Sequence, residues 1–152
     1  MARGGGAIHL TINVHGIKEL TLKLNRLHTA MRDYRAPLQR ASKYINMKTA
    51  QSFRYGGAET AWKPLSPITI AKKGSSVILV DTGLLRSDAV NPNVSYPTNY
   101  VMEMTVINRY AGYHQFGDGV PQRKFFVVLP AEERQIALFV RKYLETFVTW
   151  GK

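Results

Sequence analysis

The chain has 152 residues and a mass of 17.1 kDa, with 45% apolar and 20% charged residues, a composition typical of one folded domain and not of a disordered chain. It contains no cysteine, which excludes disulfides, thiol catalysis and thiolate metal sites. A net charge of +11 and an isoelectric point near 10.1 indicate an anionic partner, either an acidic protein surface or a nucleic acid.

The positive charge is concentrated in the N-terminal third. Residues 1–54 hold ten Lys or Arg and two acidic residues, whereas residues 55–99 hold four and three, and residues 100–152 hold seven and five. No apolar run reaches about 18 residues, which predicts no membrane span. The glycine-rich residues 1–7 lack the apolar region of a signal peptide and are predicted to be a flexible lead-in, so we expect a protein that stays in the cytoplasm where it is made.

The first third of the chain predicts a strand followed by two helices. Apolar and polar residues alternate over residues 8–14, which indicates a strand with one buried face. From Ile17 the apolar residues recur every three or four positions as far as Met31, which predicts an amphipathic helix. A second helix is predicted from Pro37 to about Phe53, ended by two glycines.

The rest of the chain predicts short helices, strands and a long final helix. Ser66 before Pro67 predicts a capped helix to Lys73, and residues 84–87 predict one helical turn. A weak strand is predicted over 89–96, a strong central strand over 99–108, where both faces are apolar, and a third over 125–129. Pro130 is predicted to begin the C-terminal helix.

This order of elements predicts one α+β domain over residues 1–152, because helices and strands are mixed without a repeating strand–helix unit. We expect a small, mostly antiparallel sheet packed with long α-helices, and extended interface loops. The residues predicted to be buried are Ile8, Leu10, Leu20, Leu24, Ile45, Met104, Val106, Phe139 and Tyr143.

No motif in the chain predicts catalysis, a cofactor or a metal site. The four histidines do not show metal-binding spacing, and no phosphate-binding glycine loop is present. Asp81-Thr82-Gly83 matches the short motif of aspartic proteases, which need two facing carboxylates. Leu84 replaces the small residue expected next, so we interpret Asp81 or Thr82 as a cap of the turn at Gly83.

The middle of the chain contains several short motifs whose combination is more specific than any one of them. They begin at Phe53 and are rich in aromatic residues, proline and glycine. In order they are Trp62-Lys63-Pro64-Leu65-Ser66-Pro67-Ile68-Thr69, Lys72 or Lys73, Leu79-Val80-Asp81-Thr82-Gly83-Leu84-Leu85-Arg86-Ser87, Tyr110-Ala111-Gly112-Tyr113-His114-Gln115-Phe116-Gly117 and Pro121-Gln122-Arg123-Lys124-Phe125.

This set resembles the virion-morphogenesis, or tail-completion, family of tailed phages over about residues 53–126. Lys124 departs from the pattern, because the resemblance predicts proline between the arginine and the phenylalanine. The resemblance implies a structural protein of the head–tail junction and not an enzyme. It also implies a homo-oligomeric ring, with six subunits expected, that contacts neck or connector and tail-tube proteins beside the DNA channel.

Six residues are the candidate interface positions of this ring. Aromatic side chains and arginine are enriched at interface centres, and Arg123 lies between aromatic residues, so we expect Arg123→Ala to spare the fold and to reduce the joining of heads and tails. The candidates are Trp62, Tyr113, His114, Phe116, Arg123 and Phe125.

Two other functions remain open at this stage. The basic N-terminal third is also compatible with a nucleic-acid-binding protein, for which salt would weaken binding steeply. Asp81 leaves an aspartic protease as the weakest alternative, and we expect Asp81→Asn to cause no proteolytic defect.

Overall fold

The structure, a computed structural model, describes residues 17–148. Its six helices and two strands form one small α+β domain, which confirms the predicted fold class. No helix between residues 17 and 148 is long and apolar enough to cross a bilayer. The elements are α1 Ile17–Ala30, α2 Arg35–Tyr55, α3 Pro67–Lys73, α4 Leu84–Val90, β1 Asn93–Thr98, β2 Val101–Thr105, α5 Ala111–Phe116 and α6 Pro130–Val148.

Local signals mark most of the helix ends. The Ser66 hydroxyl accepts a hydrogen bond from the Thr69 amide at 3.1 Å, so it caps α3 as predicted. Gly56 has the left-handed backbone (φ 73°) that ends α2, and its amide donates to the Ser52 carbonyl. α2 begins two residues before Pro37, with Tyr34 at the N-cap making no side-chain cap bond, and the Asp33 carboxylate accepts the Arg35 amide at 2.9 Å.

The sheet is smaller than predicted. Over residues 17–148 it consists of β1 and β2 alone, paired antiparallel with Val94 opposite Met104, so the expected central strand has only one neighbour. Residues 125–129 form no strand, and the amides of Phe125 and Phe126 donate to the Gln115 side chain instead of to a sheet partner. The strand predicted over 8–14 and the lead-in 1–7 lie outside the described residues.

The best-buried cluster lies where α2 and α4 meet the loops before α3 and after α5. The Phe53 ring lies 5.5 Å from both the Trp62 and the Phe125 ring centres, and Leu85, Ala89 and Ala111 complete the cluster. Such aromatic clusters bury large apolar areas and provide much of the stability of a small domain. This cluster therefore holds together segments that are far apart in the chain.

The predicted core is confirmed in one position and wrong in two. Ile45 is buried, whereas Leu20 and Leu24 on α1 are 45% and 55% exposed, because the packing of α1 on α6 leaves both positions uncovered by residues 17–148. Ile8 and Leu10 lie outside the described residues. Four predicted core residues are half-buried: Met104, Val106, Phe139 and Tyr143.

A buried carboxylate attaches α6 to α2. One oxygen of Glu132 lies 3.2 Å from the Lys48 ammonium, and the other accepts the Leu129 amide at 3.0 Å, which satisfies a free donor at the start of α6. The hydrogen bond to Glu132 raises the pKa of Lys48. Glu132 therefore belongs to the framework and is not available to a ligand.

Candidate functional site

A cleft of about 860 Å³ lies between α3, the loop that follows it, and the beginnings of α4 and α5. Apolar side chains such as Leu79 and Leu84 line part of it, and Asp81 is the one acidic residue in its lining. Its volume falls within the roughly 300–1,000 Å³ of small-ligand pockets. Four cationic residues line the cleft: Lys72, Lys73, Arg109 and Arg123.

Arg123 is the most buried of these cations, with 5% of its surface exposed. Its Nε and Nη2 atoms donate to the Lys63 carbonyl at 3.1 and 3.0 Å, and its amide donates to the His114 carbonyl at 2.7 Å. No carboxylate in residues 17–148 lies within salt-bridge distance of its guanidinium. Burial lowers the pKa of Arg123, which reflects a cation removed from water without a neutralising partner.

His114 places a second incompletely satisfied group in the cleft wall. Its ring is half-buried, and its Nδ1 atom is buried without a hydrogen-bond partner among residues 17–148. Burial lowers the pKa of His114, and the positive charge of Arg123 lowers it further. The cleft wall therefore contains the Arg123 guanidinium, which has no anionic partner in residues 17–148 and can be neutralised by an incoming anion, whereas the His114 Nδ1 atom is itself removed from the surface.

Acidification is expected to destabilise the fold through His114, because a lowered folded-state pKa means that the unfolded chain binds the proton more tightly. The free energy of unfolding should fall as the pH drops through about 6.5, the ordinary histidine pKa, until folded His114 is protonated too. Chemical denaturation measures the free energy of unfolding at neutral and mildly acidic pH. The decrease between the two pH values should be smaller for His114→Gln than for the control His28→Gln, at an exposed position on α1. Equal losses would contradict this assignment.

Of the six candidate interface residues three are buried, two are exposed, and His114 is half-buried. Trp62, Arg123 and Phe125 are 6%, 5% and 2% exposed, so the monomer's own fold buries them. The Trp62 indole N–H donates to the Lys124 carbonyl at 2.9 Å. Tyr113 and Phe116 on α5 are 51% and 78% exposed and remain available to a partner.

The burial of Arg123 changes the result expected for its replacement. Arg123 holds the Lys63 carbonyl through two hydrogen bonds, so Arg123→Ala leaves a carbonyl in a part-buried position without its donors. We therefore correct the expectation that this variant spares the fold, and expect it to be destabilised. A test of the interface role needs exposed positions instead.

Gln115 organises the loop that carries Arg123 and Phe125. Its Oε1 accepts the amides of Phe125 and Phe126 at 3.2 and 3.3 Å, and its Nε2 donates to the Phe126 carbonyl at 2.9 Å. Gln115 is not among the six candidate interface residues predicted from the sequence. The sequence feature that could have indicated its role is a glutamine between His114 and Phe116 in a loop-rich region. Such a side chain can bond a backbone segment that has no partner strand.

Lys124, at the position where the resemblance predicts proline, contributes its backbone carbonyl to the Trp62 bond. Proline retains that carbonyl and lacks only the amide hydrogen. The Lys124 side chain is exposed. The substitution is therefore compatible with the loop geometry around Trp62.

The Asp81-Thr82-Gly83 segment is a turn before α4, and Gly83 occupies the N-cap position without a side-chain cap hydrogen bond. The Thr82 hydroxyl accepts the Leu84 amide at 3.5 Å, Gly83 has a left-handed backbone with φ 86°, and Asp81 is exposed. The cleft lining gives Asp81 no carboxylate partner with which to share a proton. Between residues 17 and 148 there is also no group of three His, Asp or Glu side chains placed to hold a metal.

Comparisons of this chain with protein-family models, with curated proteins and with solved structures find no match.

Proposed function

We propose that the chain is a structural protein of the head–tail junction of a tailed phage, where it forms a ring that joins tail to head. The observation that carries the proposal is the convergence of the motifs that resemble the virion-morphogenesis family. Phe53, Trp62 and Phe125 belong to one aromatic cluster, and Arg123 and Trp62 exchange hydrogen bonds with each other's segments. Motifs that share one structural unit are a stronger basis for a resemblance than separate short matches.

The surface of the monomer supports an assembly role. Phe116, Tyr55 and Ile107 are more than two-thirds exposed, and aromatic side chains such as the first two are enriched in the centres of protein interfaces. The cleft lining offers cations and apolar groups, but no pair of carboxylates and no metal cluster. This combination fits a protein that works by docking.

Nucleic-acid binding is the second candidate function, and the exposed basic residues of α1 and α2 favour it. Lys18, Arg26, Arg40 and Lys43 are exposed. Phosphate contacts are recognised by a steep loss of affinity with added salt. Binding of a short duplex DNA across a salt series distinguishes a true phosphate contact from a basic face that meets an acidic protein.

Electron microscopy of intact phage particles tests the proposed function. We expect the chain as a ring at the head–tail junction, and we expect particles assembled without it to accumulate as separate heads and tails. The matched control is a particle complemented with the unaltered chain, in which joining is restored. A location away from the junction, or normal joining without the chain, would refute the proposal.

A further inference from the structure

We propose that the ring contact is an insertion of α5 from one copy into the cleft of the next. The inserted part, termed here the α5 knob, consists of Tyr113, Phe116 and Asp118. This inference rests on the proposed function, since it names the contact from which that ring is built. The occupant of the cleft is therefore a second copy of this chain.

The cleft and the aromatic rings of the knob lie on opposite faces of α5. An α-helix turns about 100° per residue, so side chains two positions apart point about 200° away from each other. His114 lines the cleft and Phe116 is 78% exposed. Tyr110 shares the His114 side, whereas Tyr113 shares the Phe116 side.

A head-to-tail contact requires two different patches on each subunit, and the two faces of α5 provide them. When different patches of one chain meet, each subunit uses its knob on one neighbour and its cleft on the other, and the assembly is a ring where the repeated rotation closes. A two-fold symmetric dimer would instead pair one patch with itself. The placement on α5 therefore favours a head-to-tail contact over a symmetric pair.

The positive charge of the cleft is complementary to the negative charge of the knob. The cleft carries four cations and one carboxylate, and its buried guanidinium, Arg123, has no anionic partner in residues 17–148. Asp118 is exposed two residues after Phe116, in a turn with a left-handed glycine on either side. A carboxylate that enters the cleft gains charge-assisted hydrogen bonds to groups already removed from water.

The cleft and the knob also both expose apolar side chains, which can cover each other. Leu84 in the cleft is 64% exposed, and the rings of Tyr113 and Phe116 are exposed on the knob. An aromatic ring buries roughly 150–250 Å² when it is covered. One aromatic side chain and one carboxylate fit within the cleft volume of about 860 Å³. The aromatic side chain would contact the apolar residues of the cleft and the carboxylate its cations. Duplex DNA would use the cations and leave the apolar lining uncovered.

Two exposed-site variants test the contact without disturbing Arg123. The knob variant is Phe116→Ser, and the cleft variant combines Lys72→Glu with Leu84→Glu, all at exposed positions. Analytical ultracentrifugation should show an oligomer for the unaltered chain and at least about tenfold weaker association for each variant, which corresponds to about 1.4 kcal/mol. The controls Ile68→Ser and Arg134→Glu, exposed outside the cleft lining, should assemble normally.

Mixing the two variants provides the decisive measurement. The cleft variant retains an intact knob and the knob variant retains an intact cleft, so an equimolar mixture should form one-to-one dimers that do not grow further. In addition, Asp81→Asn removes the single carboxylate of the cleft lining and should strengthen assembly of the unaltered knob about two- to fivefold. A mixture that remains monomeric, or an Asp81→Asn chain that assembles less, overturns the inference.

The outcomes separate this contact from the proposed function. If the variants assemble like the unaltered chain and the protein is still found at the head–tail junction, the contact is wrong and the function stands. If the mixed dimer forms but the chain lies elsewhere in the particle, the contact stands and the function fails. Binding of a short duplex DNA that is lost in the cleft variant assigns the cleft to nucleic acid and overturns the inference.

Discussion

Replacing Phe125 with alanine is expected to lower the free energy of unfolding by about 3–5 kcal/mol, the loss typical of large-to-small changes at buried aromatic positions. Phe125 is 2% exposed, and its ring centre lies 5.5 Å from that of Phe53. The loop backbone around it is held by Gln115 and by the Trp62 bond, so it cannot collapse freely into the cavity. The variant loses both apolar transfer energy and packing contacts.

Urea denaturation of the Phe125→Ala chain measures this effect, with Tyr55→Ala as the matched control. Tyr55 is 71% exposed, so its replacement should change the unfolding free energy by about 0.5 kcal/mol or less. Because Arg123 lies two residues before Phe125, the variant should also loosen the cleft wall. Losses of similar size in the two variants would show that the aromatic cluster is not the stabilising centre of the fold.

Gly57→Ala is expected to cost about 3 kcal/mol or more, because both the backbone and the space around it exclude a side chain. Gly57 has a φ of 149°, and a Cβ atom built there would lie 2.1 Å from the Thr60 carbonyl oxygen. The obstacle is backbone, which cannot rotate away as a flexible side chain can. The loop is further constrained by the Trp62 amide, which donates to the Gly56 carbonyl at 2.6 Å.

The neighbouring glycine is a close control for this prediction. Gly56 also has a positive φ of 73°, but an added Cβ would meet no atom within 4 Å. Gly56→Ala should therefore cost only about 1–2 kcal/mol for the left-handed backbone. Thermal or urea unfolding measures the stability of both variants. Gly56→Ala reports backbone strain alone, and Gly57→Ala reports backbone strain together with the steric clash against Thr60. Equal losses of unfolding free energy would contradict the tight turn at Gly57.

Local chemistry made much of the helical framework predictable. The stripe that begins at Ile17, the Ser66-Pro67 start of α3, the glycine after α2 and Pro130 at the start of α6 each act within one or two turns. Their effect does not depend on distant parts of the chain. The number of strands in the sheet was overestimated. Apolar periodicity marks an extended segment, but it does not say how many neighbouring strands that segment pairs with.

The direction in which each aromatic and apolar side chain points was decided by tertiary packing. Trp62 and Phe125 are turned inward by their bonds and contacts across about 60 residues, whereas Phe116 on a neighbouring segment is left exposed. Leu20 and Leu24 follow a helical stripe, yet α6 covers only part of that stripe. Residue type alone does not contain this information, since burial depends on which elements meet.

The sequence by itself determined the charge of the protein, its lack of cysteine and several helix boundaries, such as the Ser66 cap of α3, the glycine after α2 and Pro130 at the start of α6. Only the tertiary structure decided that Lys72, Asp81, Arg109 and Arg123, from four separate segments, line one cleft, and that Arg123 lies in it buried without a carboxylate partner from residues 17–148. The physical reason is that electrostatic and apolar complementarity act through space. Such a site exists only after distant segments have packed together.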